Sequence, residues 1–192
     1  MTEPARKLKH TFAEYLTLEA ASETKHEYLD GEIYDMAGGT PDHSGLAVNV
    51  TSELHAALRG RPCRVFNSDL RVRVLATGLG TYPDASVICG AFEHDPEDEN
   101  TAINPVVLVE VLSDSTEAYD RGEKFAHYRR IPSLRDYVIV SQHEPVIEHY
   151  TRNDDDTWTL HEVRPPASVQ LTIGCELSVA AVYENPLAPA AS

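Results

Sequence analysis

The sequence lacks the features that mark membrane, secreted and metal-thiolate proteins. No stretch approaches the roughly 18 uninterrupted apolar residues of a membrane span, and residues 1–10 are polar and basic, unlike the apolar core of a secretory signal. The three cysteines, Cys63, Cys89 and Cys175, are far apart and form no CxxC pair. We therefore expect reduced thiols in a cytoplasmic protein, with no membrane partner and no thiolate zinc site.

Sequence motifs of several enzyme classes are missing as well. The nine histidines are scattered without the spacing of metal ligands, so a zinc hydrolase has no support. There is no G-x-S-x-G, no P-loop and no G-x-G-x-x-G motif. These absences argue against a serine hydrolase and against a protein that binds nucleotides through a glycine-rich loop.

Basic residues are scarce in this chain. Sixteen Lys and Arg residues stand against 31 Asp and Glu residues, which gives a net charge of −15. Much of the acid is concentrated in two runs, at residues 93–99 and 154–156. Affinity for nucleic acid depends largely on neutralising phosphates, so this balance argues against unselective DNA binding. A nucleic-acid ligand would need a local basic patch or a bound cation.

The length of 192 residues and the apolar content of 42% fit one globular domain. We expect a single domain over residues 1–187, followed by a loose Pro/Ala-rich tail at residues 188–192. The order of helix, strands, helix and strands predicts an α/β (α+β) fold. In this fold a mixed β-sheet is flanked by helices and extended by additional antiparallel strands.

Local patterns give the individual elements. Thr11 and Glu14 form a capping box, and Asp30-Gly31 is typical of a two-residue hairpin turn. The acidic run at 93–100 is predicted to form a solvated loop. Helices are predicted at residues 11–21, 42–59, from 113–116 to 130, and 177–183, and strands at 64–66, 70–75, 85–89, 106–112, 136–140, 146–151, 157–163 and 169–173.

Two carboxylates stand out from apolar surroundings. Asp84 follows Pro83 at the entrance of a predicted strand, and Glu110 lies within a strand that is otherwise apolar over seven positions. A buried carboxylate without a partner is costly, so Glu110 must be neutralised. A divalent cation with oxygen ligands, such as Mg²⁺, would do so. An ion pair with Arg71 or Arg73 is the alternative, and these features alone leave both open.

The helix after Glu110 brings a basic residue toward the same place. Asp120, Lys124 and Tyr128 are spaced four residues apart and therefore share one helical face. A lysine above two carboxylates can orient a water or stabilise negative charge on phosphorus. On spacing alone, an ordinary surface ion pair between Asp120 and Lys124 is the favoured explanation.

The combined pattern resembles a large bacterial family of small restriction-endonuclease-like proteins in the PD-(D/E)XK superfamily. The resemblance covers roughly residues 10–185. The matching blocks are Tyr82-Pro83-Asp84, PVVLVEVLSDST at 105–116, YDRGEKFAHY at 119–128, EYLDGE at 27–32, His43, and DYVIV at 136–140.

The resemblance implies a site for metal-dependent cleavage of DNA. Asp84 takes the place of the PD aspartate and Glu110 that of the (D/E) residue. Leu112 stands where the usual lysine would be, and the family places its lysine on the following helix, which points to Lys124. Asp84, Glu110 and the backbone carbonyl of Val111 would hold Mg²⁺ or Mn²⁺.

Further residues receive weaker assignments. The resemblance matches Glu27 to an acidic residue that some members of the superfamily add to the metal shell; the alternative is that Glu27 lies on the first hairpin strand. His43 is a candidate proton carrier or phosphate contact, and Tyr128 and Asp120 are auxiliary to the site. Arg71 and Arg73 could contact phosphate or simply pair with surplus acid.

A second interpretation is a nuclease-like fold that acts as a non-catalytic binding or regulatory module, linked to mobile elements. The net charge of −15 favours it, whereas the retained Lys124 opposes it. If the protein cleaves both strands of a duplex, two active centres are needed, and this predicts a homodimer.

Overall fold

The computed structural model describes residues 9–36, 38–185 and 187. It begins with helix α1 (Phe12–Ala21), and both hydrogen bonds of the predicted capping box between Thr11 and Glu14 are present. Phe12 and Tyr15 from α1 pack against Tyr28. The apolar side of this helix therefore anchors it to the first hairpin.

The first hairpin forms around the predicted turn. Strands β1 (His26–Leu29) and β2 (Glu32–Asp35) pair antiparallel. Asp30 and Gly31 have φ of 50° and 83°, the left-handed values that this dipeptide supplies at low cost.

The first sheet has the strand order β2-β1-β5-β4-β8-β7. Its remaining strands are β4 (Arg71–Val74), β5 (Leu79–Thr81), β7 (His94–Asp95) and β8 (Asp98–Ala102). The prediction of a solvated loop at 93–100 was wrong, because these residues form the β7–β8 hairpin. Arg73 neutralises Asp95 and Arg71 neutralises Asp98, so the acidic run folds back onto the sheet.

The central sheet has the strand order β12-β11-β10-β9-β6-β3. It consists of β3 (Cys63–Asn67), β6 (Ala85–Cys89), β9 (Val107–Val111), β10 (Asp136–Val140), β11 (Ile147–Arg152) and β12 (Trp158–Val163). Strands β9 and β10 are parallel, and the other neighbours are antiparallel. The sheet is therefore mixed, as the sequence predicted.

Helices cover both faces of the central sheet. Helix α2 (Pro41–Ala57) packs Val50 and Leu54 against the face that carries alternate valines of β9. Phe125 and Tyr128 pack against the opposite face, together with Leu108 of β9. Every residue of β9 is buried, as expected for a strand covered on both sides.

The helix predicted to end at residue 130 is shorter and irregular. It consists of α3 (Glu117–Tyr119), a π-helical turn (Asp120–Lys124) and α4 (Phe125–Tyr128). A π turn places an extra residue in the helix and shifts the side chains that follow. This turn contains Lys124, so the shift occurs at the candidate site.

The C-terminal part adds a small antiparallel hairpin of β13 (Ser168–Leu171) and β14 (Cys175–Ser178), followed by α5 (Val179–Val182). The predicted helix at 177–183 is therefore replaced by strand over its first two residues. Leu177 is buried in the core from β14. The expected loose tail at 188–192 lies outside the described residues. Within the described ranges, no helix is long and apolar enough to cross a membrane.

The expectation of three reduced thiols was wrong. Cys63 and Cys89 form a disulfide, and Cys175 is free and buried. Strands β3 and β6 are antiparallel with Cys63 directly opposite Cys89, a pairing that the sequence spacing does not reveal. The prediction of a cytoplasmic location rested on reduced thiols and therefore loses that support.

Candidate active site

Asp84 and Glu110 come together because β6 and β9 are neighbouring antiparallel strands. Ala85 lies opposite Val109, which brings Asp84, just before β6, beside Glu110. One carboxylate oxygen of Asp84 accepts a hydrogen bond from the backbone N–H of Val111 at 2.7 Å. The β9 backbone therefore fixes the orientation of Asp84.

Lys124 reaches this pair from the π-helical turn. Its Nζ lies 2.9 Å from Glu110 Oε1 and 3.2 Å from Glu27 Oε1. It is also 3.4 Å from Asp120 Oδ1, so the i, i+4 pair expected at the surface is buried inside the protein. A single ammonium group thus contacts carboxylates from β1, β9 and the helix.

The buried charges of this cluster are not balanced. Burial raises the pKa of Glu110 to about 8, and the nearby Asp120 and Asp84 add to the effect against the opposing attraction of Lys124. Burial alone would lower the pKa of Lys124, but Glu110, Glu27 and Asp120 together raise it well above its usual value. We infer that Lys124 stays charged because it faces several carboxylates, whereas Glu110 keeps a proton at neutral pH.

Glu27 lies on the first hairpin strand, which was the alternative left open, and it still faces the site. Its carboxylate accepts hydrogen bonds from the hydroxyls of Thr81 and Tyr119, the latter at 3.2 Å. Thr81 was not among the site residues predicted from the sequence. Tyr119 is the first residue of the 119–128 block of the resemblance. Its place in that block was the signal that could have pointed to it.

His43 lies at the first turn of α2 and faces the carboxylates. Its Nε2 is 3.3 Å from Asp84 Oδ2. A hydrogen bond with Asp84 raises the pKa of His43, burial opposes this, and a hydrogen bond to the Val111 backbone contributes in the same direction as Asp84. His43 therefore contacts two of the three groups expected to hold the metal.

The approach of His43 depends on the chain before α2. A Cβ atom on Gly39 would lie 2.7 Å from His43 Nδ1. The hydroxyl of Thr40 caps the helix by accepting from the His43 N–H, and it donates to Gln142 Oε1 at 2.7 Å. Thr40 and Gln142 are supporting residues that the sequence did not single out.

Tyr128 contacts the same Glu110 oxygen as Lys124 does. Its hydroxyl donates to Glu110 Oε1 at 2.6 Å, and its ring meets Tyr137 edge-on. The hydroxyl of Tyr137 in turn donates to the backbone carbonyl of Asp120. The structure therefore brings Tyr128 and Asp120 to the site, with Tyr128 as a packed residue that orients the glutamate.

Arg71 and Arg73 are not brought into the site. Arg73 pairs with Asp95, as described above, and Arg71 lies between the rings of Tyr15 and Tyr82. Both arginines pair with acidic residues of the β7–β8 hairpin, and Glu110 pairs with Lys124 instead. Arg71 donates to the Tyr82 hydroxyl at 2.9 Å, so it supports a residue that lines the candidate site.

The cluster opens into a cavity of about 680 Å³. Its wall is strongly acidic. The described lining contains seven carboxylates and one lysine, besides two histidines: Glu27, Asp35, Asp42, Asp84, Glu110, Asp114, Asp120, Lys124, His43 and His143. Because repulsion among these carboxylates is not balanced by Lys124 alone, a cation would be favourable here.

The donor set fits a hard divalent cation. Within the described part of the chain, no three His, Cys, Asp or Glu side chains are arranged as a ready metal-binding group. Mg²⁺, however, is commonly held by one or two carboxylates together with waters and substrate phosphates. Asp84, Glu110 and the Val111 carbonyl would supply such a partial set, and the raised pKa of Glu110 is consistent with a deficit of positive charge there.

Comparisons with known proteins give relatives along nearly the whole chain. Two uncharacterized proteins of Synechocystis sp. are 40% identical over 176 residues and 33% identical over 153 residues. The first alignment covers 90% of both chains, and the second covers 80% of this chain and 86% of the relative.

A solved structure shares the fold. A crystal structure of a putative nuclease belonging to DUF820, from Anabaena variabilis, matches with a TM-score of 0.72 and 21% identity, over 90% of this chain and 97% of that chain. The model of the Uma2 family, described as "Putative restriction endonuclease", matches residues 12–181. This chain therefore belongs to the Uma2 family.

Proposed function

We propose that this protein is a metal-dependent endonuclease of the PD-(D/E)XK superfamily that hydrolyses phosphodiester bonds in DNA. One observation carries the proposal: the Lys124 amine lies 2.9 Å from Glu110, which neighbours Asp84 at the wall of a large cavity. The family description and the nuclease described for the structural neighbour agree with this chemistry.

Asp84, Glu110 and the Val111 carbonyl would hold Mg²⁺ or Mn²⁺, and Glu27 faces the same cluster from β1. When bound, the ion supplies Lewis-acid activation of water and neutralises phosphate charge. His43 contacts the Asp84 carboxylate and the Val111 backbone. Its hydrogen bonds to these groups would therefore change when they bind a cation.

The chain's own groups complete the chemistry. The charged amine of Lys124 can hold a water or stabilise negative charge that develops on the phosphate oxygens. The hydroxyl of Tyr128 fixes one Glu110 oxygen, and the Val111 N–H fixes one Asp84 oxygen. The carboxylates are therefore oriented before the substrate arrives.

The test is cleavage of plasmid and single-stranded DNA with Mn²⁺. We expect wild type to cut and Asp84→Ala to lose at least about a hundredfold in rate. Asp154→Ala, which changes an exposed carboxylate on the β11–β12 turn, is the matched control and should cut like wild type. Equal activity in Asp84→Ala and wild type would remove the site assignment.

A non-catalytic binding or regulatory module, linked to mobile elements, is the second candidate. The net charge of −15 and the acidic cavity wall favour it, because both oppose DNA phosphates. Calorimetric titration with Mn²⁺ separates the two proposals. Absence of binding at millimolar Mn²⁺ would favour the module, whereas the endonuclease requires binding that Asp84→Ala abolishes.

We also propose a homodimer, since one active centre per chain cuts one strand. Sedimentation velocity at micromolar concentration should give about twice the 21.2 kDa chain mass. A monomer under these conditions, with or without DNA and Mn²⁺, would contradict the dimer without affecting the site assignment.

A further inference from the structure

A second cavity, of about 480 Å³, has the opposite electrostatic character to the candidate active site. Three of its six lining residues are arginines and one is acidic: Arg129, Arg130, Pro132, Arg152, Asp156 and Trp158. Arg135 lies close enough to act electrostatically on Arg152. In a chain with a net charge of −15, this concentration of arginine is unusual.

Arg152 is the buried centre of this group. Its side chain is only 8% exposed, and it donates to the backbone carbonyls of Arg129 and Pro132. Its Nε is buried and has no hydrogen-bond partner. The nearest carboxylate oxygen, on Asp156, is 4.0 Å away on a side chain that is 85% exposed.

A buried N–H without a partner costs free energy unless a ligand satisfies it. Burial lowers the pKa of Arg152, and Arg135 adds to this against the attraction of Asp156, so the guanidinium lacks a close counter-charge. The exposed Arg129 and Arg130 border the same cavity. Arginine donors in this number suit an oxyanion with several acceptor oxygens.

We propose that the cavity formed by Arg129, Arg130, Arg152 and Trp158 binds a phosphate group, carried by a nucleotide or by a nucleic-acid backbone. The exposed guanidinium groups of Arg129 and Arg130 would donate to the phosphate oxygens, and the buried Arg152 beside them would add positive charge. Trp158, whose ring lies 5.0 Å from the Arg152 guanidinium, forms the apolar wall.

This site is separate from the candidate active site. Glu110 is in register with Ile139 of β10, which is in register with Glu148 of β11. Arg152 lies four residues further along β11, about 13 Å beyond Glu148. Because β11 runs antiparallel to β9 and β10, this displacement leads away from the cavity at the end of β9.

The single tryptophan of the chain provides a direct probe, since its fluorescence reports on this cavity alone. Inorganic phosphate should be titrated in EDTA, with chloride replaced to hold ionic strength constant. We expect a saturable change in Trp158 fluorescence. Arg130→Gln should weaken binding roughly tenfold, and Arg152→Lys, which keeps the charge but loses the guanidinium bonds to the Arg129 and Pro132 carbonyls, should weaken it similarly.

Two further variants sharpen the test. Arg164→Gln removes an exposed arginine that pairs with Glu144 outside the cavity, so it is the matched control and should bind like wild type. Asp156→Asn removes the competing carboxylate and should tighten binding. Circular dichroism checks folding, and Arg130→Gln keeps the test valid if Arg152→Lys fails to fold because Arg130 is exposed.

The outcome is decided by saturation and by the variants. No saturable response, or equal responses in wild type and Arg130→Gln, would overturn the proposal. Tighter binding of an oligodeoxynucleotide than of thymidine 5′-monophosphate would identify a nucleic-acid backbone as the ligand, and equal binding would identify a free nucleotide. The response should persist in Asp84→Ala, so a failed nuclease assignment leaves this test intact.

Discussion

The charges of single side chains determine what the candidate active site can bind. Lys124 contacts Glu27, Glu110 and Asp120, and Asp84 lies close by. Four carboxylates thus share one buried ammonium group. The high pKa of Glu110 follows from this deficit of positive charge as well as from burial, and a divalent cation removes the deficit more completely than a proton does.

The first prediction concerns stability without metal. The pKa of Glu110 rises from 4.5 to about 8 on folding, so between these pH values the folded protein holds a proton that the unfolded chain has released. The contribution of Glu110 to stability should therefore be largest below the unfolded pKa and should fall as pH rises toward 8, by an amount on the order of a few kcal/mol.

Urea unfolding in EDTA from pH 5 to 8 measures this dependence. Glu110→Gln should flatten it, because glutamine does not titrate. Glu176→Gln, an exposed change on β14, is the control and should keep the wild-type slope. The same slope in Glu110→Gln and wild type would show that Glu110 is ionised throughout.

The second prediction concerns metal binding. Because a cation must displace the Glu110 proton, Mn²⁺ affinity should rise with pH and level off above about pH 8, where Glu110 is already ionised. Calorimetry at pH 7 in two buffers of different ionisation enthalpy should show about one proton released per ion. Binding without proton release would contradict a protonated Glu110.

The third prediction concerns Lys124. Lys124→Gln should lower DNA cleavage by roughly a hundredfold, since the proposed mechanism uses this ammonium to stabilise negative charge on the phosphate. Mn²⁺ binding should persist, because removal of the ammonium increases the repulsion among the carboxylates and a bound cation relieves it. Lys9→Gln, at an exposed lysine paired with Asp30, is the control. Unchanged cleavage in Lys124→Gln would exclude a catalytic role.

At the scale of elements, residue patterns predicted most of the structure correctly where the local signal was strong. The capping box at Thr11, the hairpin at Asp30-Gly31 and the apolar strand around Glu110 were all confirmed. The β7–β8 hairpin was missed because Arg71 and Arg73, distant in sequence, neutralise its acid. Composition alone cannot show such partners.

The π-helical turn at Asp120–Lys124 was also missed. A regular helix and a helix with one π turn have nearly the same apolar pattern over so short a length, and tertiary contacts decide between them. Here the backbone carbonyl of Asp120 accepts from Tyr137, and Lys124 pairs with Glu110 of the sheet. Both partners lie on strands of the central sheet, Tyr137 on β10 and Glu110 on β9.

The fourth prediction concerns the segment before α2. Gly39→Ala should displace the His43 ring from Asp84, because the new Cβ would lie 2.7 Å from Nδ1. We expect cleavage to fall roughly tenfold with little change in thermal stability, since Gly39 is exposed. Gly38→Ala meets no atom within 4 Å and is the matched control. Equal loss in both variants would exclude the His43 explanation.

At the scale of the whole molecule, opposite charges are separated into two regions. The cavity at the end of β9 is acidic, and the cavity beside Arg152 is basic, although the chain as a whole carries −15. Net charge therefore gives a poor guide to binding here. The sequence predicted that nucleic acid would need a local basic patch or a cation, but it could not show where either would lie.

The candidate site shows the same division between what sequence could and could not predict. Asp84, Glu110 and Lys124 were singled out from motif and resemblance, and the structure brings them together. For Arg71 and Arg73 a phosphate contact and pairing with surplus acid were both left open, and the structure pairs them with Asp98 and Asp95. Strand order and register, which set these directions, arise from long-range pairing that one sequence does not reveal.

A crystal soaked in Mn²⁺ would show whether Asp84 and Glu110 hold a cation, since anomalous scattering locates the ion without any assumption about activity. We expect a manganese peak within coordination distance of both carboxylates, with the Lys124 amine still facing the pair. A fully occupied ion elsewhere in the molecule, or no peak at this position at millimolar Mn²⁺, would contradict this expectation.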